Sequence, residues 1–68
     1  MHGMTRGRVS TNYRPYGITA KYAVERNNLR YRVRPFGHAD DARFIPRAHF
    51  TVDNPTLVDV LRAVGFEE

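Results

Sequence analysis

Apolar and polar residues alternate along two neighbouring stretches of the chain, residues 18–26 and 29–34. Side chains of a β-strand point to opposite faces in turn, so alternation puts the apolar residues of a stretch on one face. The apolar residues are Ile18, Ala20, Tyr22 and Val24 in the first stretch and Leu29, Tyr31 and Val33 in the second. The pattern predicts an antiparallel hairpin with one apolar and one polar face.

Asn27 and Asn28 separate the two predicted strands and suit a two-residue turn, because asparagine tolerates a positive φ better than most residues. Closing the hairpin there gives these cross-strand pairs: Val24 with Tyr31, Tyr22 with Val33, Glu25 with Arg30, Ala23 with Arg32 and Lys21 with Arg34. Two cations directly opposite each other destabilise an isolated sheet slightly. The predicted pair of Lys21 and Arg34 therefore favours a partner outside the fold.

A third strand is predicted at residues 47–52. Its inward-facing residues would be Ala48, Phe50 and Val52. Proline has no backbone N–H, so Pro35 should end the second strand and Pro46 should interrupt any ladder that begins earlier than residue 47.

The last predicted element is a helix over residues 55–64, where apolar residues recur at the spacing of one helical face. These residues are Leu57, Val60, Leu61 and Val64. Asn54 suits the N-cap and Pro55 the first helical position. Gly65 is placed to end the helix in a left-handed conformation, with Phe66 folding back onto it.

Together these elements predict an α+β fold: a three-stranded antiparallel sheet with one C-terminal helix packed on its apolar face. Residues 17–68 are predicted to form this single domain. Residues 1–16 precede it as a basic N-terminal segment, which is either a flexible arm or, where apolar and polar residues alternate near its end, a short edge strand.

The chain of 68 residues has no cysteine, which excludes disulfides and cysteine-ligated metals and suits a reducing, cytoplasmic setting. No apolar stretch approaches the length of a membrane span. The net charge is +4, and it is unevenly distributed. Residues 1–34 carry eight Lys or Arg and one acid, a net of +7, whereas residues 35–68 carry three Arg and six acids, a net of −3. An electropositive half of this kind favours nucleic acid or an acidic protein groove as the partner.

Three arginines alternate with the apolar residues of the second strand and would form a row about 6.5–7 Å apart on its polar face. A guanidinium group donates paired hydrogen bonds to phosphate or carboxylate, so the row suits a polyanion or an acidic protein surface. The alternative is that these arginines only solvate the strand. The predicted partner-binding or nucleic-acid-binding residues are Arg30, Arg32, Arg34, Lys21, Arg6, Arg8 and Arg14.

Sequence signatures of enzymes are missing: there is no phosphate-binding loop, nucleophile elbow, zinc-protease motif or dinucleotide fingerprint. His38, Asp40 and Asp41 cluster in one predicted loop, but adjacent loop residues seldom converge on one ion. No catalytic residue, cofactor, metal or small-molecule substrate is therefore expected.

Residues 18–64 resemble the small domains with a three-stranded sheet and a helix that open some phage integrases and form plant ethylene-response DNA-binding domains. The matching parts are a first strand, the Asn27-Asn28 turn, the Arg30-Tyr31-Arg32 strand, a third strand and the helix at 55–64. In that family the sheet face enters the major groove. The resemblance therefore implies that Arg30, Arg32 and Arg34 lie against bases or phosphates.

The whole chain also resembles the small stand-alone proteins that phages make to take over host RNA polymerase, which are short, without cysteine and rich in arginine. This resemblance implies a non-enzymatic transcription regulator that binds RNA polymerase or its nucleic-acid channel in the bacterial cytoplasm. One alternative is a protein that binds DNA or RNA directly with the same arginine-lined face. Another is a steric inhibitor of a bacterial defence complex of the CRISPR type.

Overall fold

A computed structural model describes residues 11–66 of the chain, apart from the side chain of Ala39. Within these residues the elements are β1 (Arg14–Ile18), β2 (Tyr22–Arg26), β3 (Arg30–Pro35), β4 (Arg43–Pro46) and α1 (Leu57–Ala63), with 3₁₀ turns at Ala39–Asp41 and Arg47–His49. The sheet is antiparallel in the order β1-β2-β3-β4. The predicted α+β class is confirmed, but the sheet has four strands rather than three.

The strand predicted at residues 18–26 covers the last residue of β1, a turn and the whole of β2. Thr19 makes this turn, because its hydroxyl oxygen accepts from the N–H groups of Lys21 at 3.2 Å and Tyr22 at 3.0 Å. Ile18, predicted to face the core, is 68% exposed at the end of β1. β1 also includes residues 14–16, which the sequence assigned to the N-terminal arm. Residues 1–10 of that arm lie outside the described residues.

The β2–β3 hairpin forms, but its register differs from the prediction by two residues. The partners are Tyr22–Pro35, Ala23–Arg34, Val24–Val33, Glu25–Arg32 and Arg26–Tyr31. A shift of two residues keeps the side chains of both strands on their predicted faces while changing the residue opposite each of them. The predicted pairs of Glu25 with Arg30 and of Lys21 with Arg34 are therefore wrong.

The turn between β2 and β3 lies one residue later than predicted, with Asn28 and Leu29 at its tip. The N–H of Asn27 donates to the carbonyl of Arg30 at 3.0 Å, and the N–H of Arg30 donates to the side-chain oxygen of Asn27 at 2.8 Å. The same oxygen accepts from the N–H of Leu29 at 2.8 Å. Among the described residues only glycines have a positive φ. A side-chain cap, rather than a left-handed asparagine, therefore makes this turn.

The strand predicted at residues 47–52 is wrong. β4 lies earlier and pairs with β3 at the edge of the sheet, so Pro46 falls on its last residue. Proline is tolerated there because an edge strand leaves one row of backbone N–H groups outside the ladder. Of the three predicted inward residues only Phe50 packs against the core, and the other two are exposed.

α1 begins two residues later than predicted, because Thr56 rather than Asn54 caps it. The hydroxyl oxygen of Thr56 accepts from the backbone N–H three residues later, at 3.1 Å. Asn54 and Pro55 instead tie the segment before the helix to the sheet. The side-chain oxygen of Asn54 accepts from Arg26 at 3.2 Å, and the carbonyl of Pro55 accepts from the Tyr16 hydroxyl at 2.6 Å.

The predicted end of the helix is confirmed, since Gly65 has a φ of +87°. The N–H of Gly65 donates to the carbonyl of Arg62 at 3.1 Å, and that of Phe66 donates to the carbonyl of Leu61 at 2.9 Å. These are the two bonds of a Schellman cap. The Phe66 ring then stacks on Tyr22 of β2 with ring centres 4.9 Å apart, so the residue after the cap packs on the sheet.

The core lies between α1 and one face of the sheet. Its buried residues are Val24, Tyr31, Val33, Ile45, Val60 and Leu61. A close approach of β1 to the helix requires glycine at position 17, where a Cβ would lie 2.5 Å from a methyl carbon of Leu57. Among the described elements the helix lies on one face only, and the opposite face of the sheet carries the arginine row.

Candidate functional site

The three arginines of β3 lie on the face of the sheet opposite α1, as the period of the strand requires. Arg32 has Glu25 of β2 on one side and Phe44 of β4 on the other in the same row of the sheet. We call this surface the arginine face and define it by Arg30, Arg32, Arg34, Glu25, Tyr13 and Phe44. It joins residues from three strands and from the segment before β1.

A single carboxylate pairs two of the arginines. Arg34 makes two hydrogen bonds to Glu25, one from Nε at 2.9 Å and one from Nη2, and Arg32 Nε donates to the same carboxylate at 3.1 Å. Hydrogen bonding from Arg34, followed by that from Arg32, holds the pKa of Glu25 below its usual value, although partial burial opposes the shift. The Glu25 side chain is only 14% exposed. Glu25 is therefore the internal counter-ion of the row, and it leaves an excess of positive charge.

Arg30 is held by aromatic residues instead. Its Nε donates to the Tyr13 hydroxyl at 2.8 Å, and its guanidinium carbon lies 4.8 Å from the centre of the Phe44 ring. The guanidinium of Arg32 lies 4.0 Å from the centre of the Tyr13 ring. Such cation–π contacts fix the direction of an arginine while leaving most of its N–H groups available.

Apolar surface adjoins the charged groups. Phe44 and Leu29 are each 49% exposed, and Ile18 lies in the same cross-strand row as Arg34, beyond the small side chain of Ala23. A hollow of about 410 Å³ opens beside Arg30. Its described lining residues are Thr11, Tyr13, Asn27, Leu29, Arg30, Phe44, Ile45 and Pro46. The face thus combines cations with aromatic and aliphatic groups that the fold leaves uncovered.

The structure does not bring all seven predicted site residues together. Arg30, Arg32 and Arg34 share the arginine face, and Lys21 lies in the turn before β2, where its carbonyl accepts from the N–H of Phe36 at 2.9 Å. Arg14 lies opposite Arg26 on the other face of the sheet. Arg6 and Arg8 lie outside the described residues.

Sequence reasoning missed two residues of the arginine face. Tyr13 lies in the segment that the sequence assigned to the N-terminal arm, and Phe44 lies before the third predicted strand, so neither residue was predicted to lie on this face. Arg43, Phe44 and Ile45 do not alternate between polar and apolar residues, so the period of a strand gave no signal that Phe44 faces outward.

The loop with His38, Asp40 and Asp41 borders a small hollow of about 170 Å³. In the described part of the chain, no group of three His, Cys, Asp or Glu side chains is placed to hold a metal ion. No helix within residues 11–66 is both long enough and apolar enough to cross a membrane.

Comparison of the chain with protein-family models, with curated proteins and with solved structures gave no match.

Proposed function

We propose that the protein is a small non-enzymatic transcription regulator that docks on bacterial RNA polymerase through the arginine face. The observation that carries the proposal is the composition of this face, where three guanidinium groups lie in one row, one carboxylate pairs two of them, and exposed aromatic and aliphatic side chains lie beside them. Arginine, tyrosine and phenylalanine are enriched at the centres of protein interfaces. The partner surface would be acidic, with apolar groups that fit the hollow beside Arg30.

Binding would use arginine N–H groups that have no partner among the described residues. Arg30 donates one hydrogen bond to a tyrosine hydroxyl and has no carboxylate partner among the described residues. A partner carboxylate would therefore form a charge-assisted bond with it, worth about 1.5–3 kcal/mol when shielded from water. Regulation would follow from occupancy, because a domain seated on the polymerase excludes nucleic acid or an initiation factor from the same surface.

The test must separate binding from folding. Replacing Arg32 and Arg34 alone would leave Glu25 unpaired and largely buried, which destabilises the fold. The decisive variant, which we call the fourfold variant, therefore combines Arg30→Gln, Arg32→Gln and Arg34→Gln with Glu25→Gln. It removes two net positive charges and leaves no orphaned carboxylate. We expect its affinity for purified RNA polymerase to fall at least about tenfold, which corresponds to about 1.4 kcal/mol.

Arg62→Glu provides the matched control, because it also lowers the net charge by two but lies on α1, away from the arginine face. Its side chain is 57% exposed and forms an ion pair with Asp59 at 3.9 Å. Polymerase affinity should be nearly unchanged in this control. If the wild type and the fourfold variant bind polymerase with equal affinity, the arginine face is not the polymerase-binding site. If the wild type does not bind polymerase, the proposal itself is wrong.

Direct binding of single-stranded DNA or RNA by the same face is the second candidate. Tyr13 and Phe44 favour it, since aromatic rings interleaved with arginines form stacking platforms for bases. In that case binding to an oligonucleotide would weaken with salt, by about 0.7 in log–log slope for each phosphate contacted. The fourfold variant would lose oligonucleotide binding as well.

A further inference from the structure

A second cationic cluster lies on the other face of the sheet, outside the arginine face. Arg14 of β1, Arg26 of β2 and Arg47 of the 3₁₀ turn after β4 border one hollow of about 360 Å³. The other described lining residues are Asn12, Pro15, Tyr16, Asn27 and Asn28. We call this feature the three-arginine hollow. Three separate segments of the chain bring its cations together.

Two of these cations face each other directly. Arg14 and Arg26 are cross-strand partners in the β1–β2 ladder. Like charges in this position destabilise a sheet unless an anion lies between them or beside them. None of the described residues that line the hollow is acidic, and none of its three arginines makes an ion pair within residues 11–66. Within residues 11–66 the fold therefore brings three cations together with no acidic side chain in the lining to pair with them.

Arg26 is fixed in place before any ligand arrives. Its guanidinium carbon lies 4.6 Å from the centre of the Tyr16 ring and 5.6 Å from that of Tyr31. Its Nη1 donates to the carbonyl of Asp53 at 2.9 Å, to the side-chain oxygen of Asn54 at 3.2 Å and to the Tyr31 hydroxyl at 3.2 Å. All three bonds use one nitrogen of a group with five N–H donors. A ligand that binds the remaining N–H groups of Arg26 therefore costs little further side-chain entropy, because this arginine is already ordered.

The other two arginines are less constrained. Arg14 is exposed and its side chain makes no hydrogen bond to another described residue, whereas Arg47 Nη1 donates to the carbonyl of Asn27 at 3.3 Å. Both guanidinium groups retain donors for a tetrahedral anion beside Arg26. A planar donor fork matches two oxygens of a phosphate, which is why clustered arginines favour phosphate recognition.

We infer that the three-arginine hollow binds a phosphate group of a nucleic-acid strand, with Arg26 as the fixed contact and Arg14 and Arg47 closing on the same group. The hollow is open and mostly polar, so it holds the anionic group and leaves the rest of the ligand outside. A strand satisfies this condition because each phosphate is flanked by further phosphates that can extend over the neighbouring basic surface. The inference does not depend on the polymerase proposal, because it uses different residues on the opposite face.

The test measures binding of a fluorescein-labelled oligothymidylate of twelve nucleotides by fluorescence polarisation, at several salt concentrations. Arg14→Gln combined with Arg47→Gln removes two charges and spares Arg26, whose replacement would disturb the contacts to Asp53 and Asn54. We expect this double variant to bind at least tenfold more weakly. Its log–log salt slope should be smaller by about 0.7 for each phosphate that it no longer neutralises.

Arg62→Glu again serves as the control with the same change in net charge, and it should keep most of the wild-type affinity. Equal affinities and equal salt slopes for the wild type and the double variant would overturn the inference. The inference would also be overturned if the fourfold variant of the arginine face lost oligonucleotide binding while the double variant kept it. Inorganic phosphate is titrated separately, and displacement of the oligonucleotide at equal molar phosphate would identify a free-anion site and overturn assignment to a strand.

Thermal unfolding shows whether the two substitutions change the stability of the fold. Thermal unfolding without ligand should show the double variant to be as stable as the wild type, because replacing Arg14 relieves its repulsion with Arg26. Addition of oligothymidylate should raise the melting temperature of the wild type more than that of the variant, since a ligand that binds only the folded state stabilises it. Equal increases would count against the site.

Discussion

Glu25 is the carboxylate that pairs with the arginine row. Three arginines in one row would repel one another, and the sheet supplies one carboxylate between two of them. The pairing of Arg34 with Glu25 raises the pKa of the Arg34 guanidinium above its ordinary value and lowers the pKa of the Glu25 carboxyl. Glu25 thus lets the fold tolerate the row without neutralising it.

The depressed pKa of Glu25 makes a prediction about stability and pH. A carboxyl whose pKa is lower in the folded state stabilises the protein above its unfolded pKa of about 4.3, and this contribution is lost as pH falls through the folded value. Glu25→Gln should therefore lower the free energy of unfolding by about 1 kcal/mol at pH 7, because it weakens the bonds to both arginines. Urea unfolding at a series of pH values measures the effect.

The difference between wild type and Glu25→Gln should stay constant from pH 7 to about pH 5 and shrink below about pH 4. Asp59→Asn is a suitable control, since the Asp59 carboxylate is 51% exposed and lies 3.9 Å from Arg62. It should change the free energy of unfolding little at any pH. A Glu25→Gln difference of undiminished size at pH 3 would show that the carboxylate charge is not its source.

At the scale of elements, short polar side chains decide where strands end. Thr19 breaks a run of alternating residues into two strands, and Asn27 sets the register of the next hairpin. Asn27 is 7% exposed, and its side-chain nitrogen also donates to the carbonyl of Thr11 at 3.2 Å. The Asn27 side chain thus bonds both to the turn before Arg30 and to the segment before β1, and these bonds fix the start of the arginine row.

The contact between β1 and α1 yields a prediction at this scale. Gly17→Ala places a methyl group 2.5 Å from a methyl carbon of Leu57, so Leu57 or the helix must move. We expect a loss of about 1–2 kcal/mol in the free energy of unfolding, which is typical of overpacking. Thermal or denaturant unfolding measures it.

A double-mutant cycle identifies the cause of that loss. In the background Leu57→Ala the methyl carbon is gone, and φ at Gly17 is not positive, so an alanine there meets neither a clash nor backbone strain. Gly17→Ala should then be neutral or slightly stabilising. An equal cost in both backgrounds would place the effect in the strand itself rather than in its contact with the helix.

At the scale of the whole molecule, the described part of the positive half, residues 11–34, forms β1, β2 and most of β3, and it presents cations on both faces of the sheet. The arginine face lies opposite α1, and the three-arginine hollow lies on the same face as α1. The two surfaces share no arginine. The two proposed binding sites therefore use opposite faces of one small domain.

Because the arginine face and the three-arginine hollow are separate, substitutions in one should weaken only the binding reaction that uses it. The fourfold variant of the arginine face should weaken polymerase binding while retaining the dependence of oligonucleotide binding on Arg14 and Arg47. Combining all substitutions should give additive changes in the free energy of each binding reaction, since distant sites without shared partners add within about 0.3–0.5 kcal/mol. Calorimetric titration of both ligands would measure these energies, and strong coupling would indicate one continuous surface.

Much of this fold follows from local patterns that can be read along the chain. The alternation in β2 and β3 correctly predicted which side chains share a face, and it did so despite a register that was wrong by two residues, because a shift of two preserves the period. The helical stripe and Gly65 likewise predicted α1 and its end. The start of α1 was misjudged because Asn54 and Thr56 are both good caps, and only contacts with the sheet select between them.

Periodicity is set within a few residues, so the sequence by itself determined the faces of the strands, the helix and the row of arginines. The tertiary structure alone decided which charges meet. Turn positions chosen by Thr19 and Asn27 made Glu25 the partner of Arg32 and Arg34. Contacts between segments far apart in sequence brought Arg14, Arg26 and Arg47 to one hollow, because cross-strand neighbours depend on register and packing rather than on local pattern.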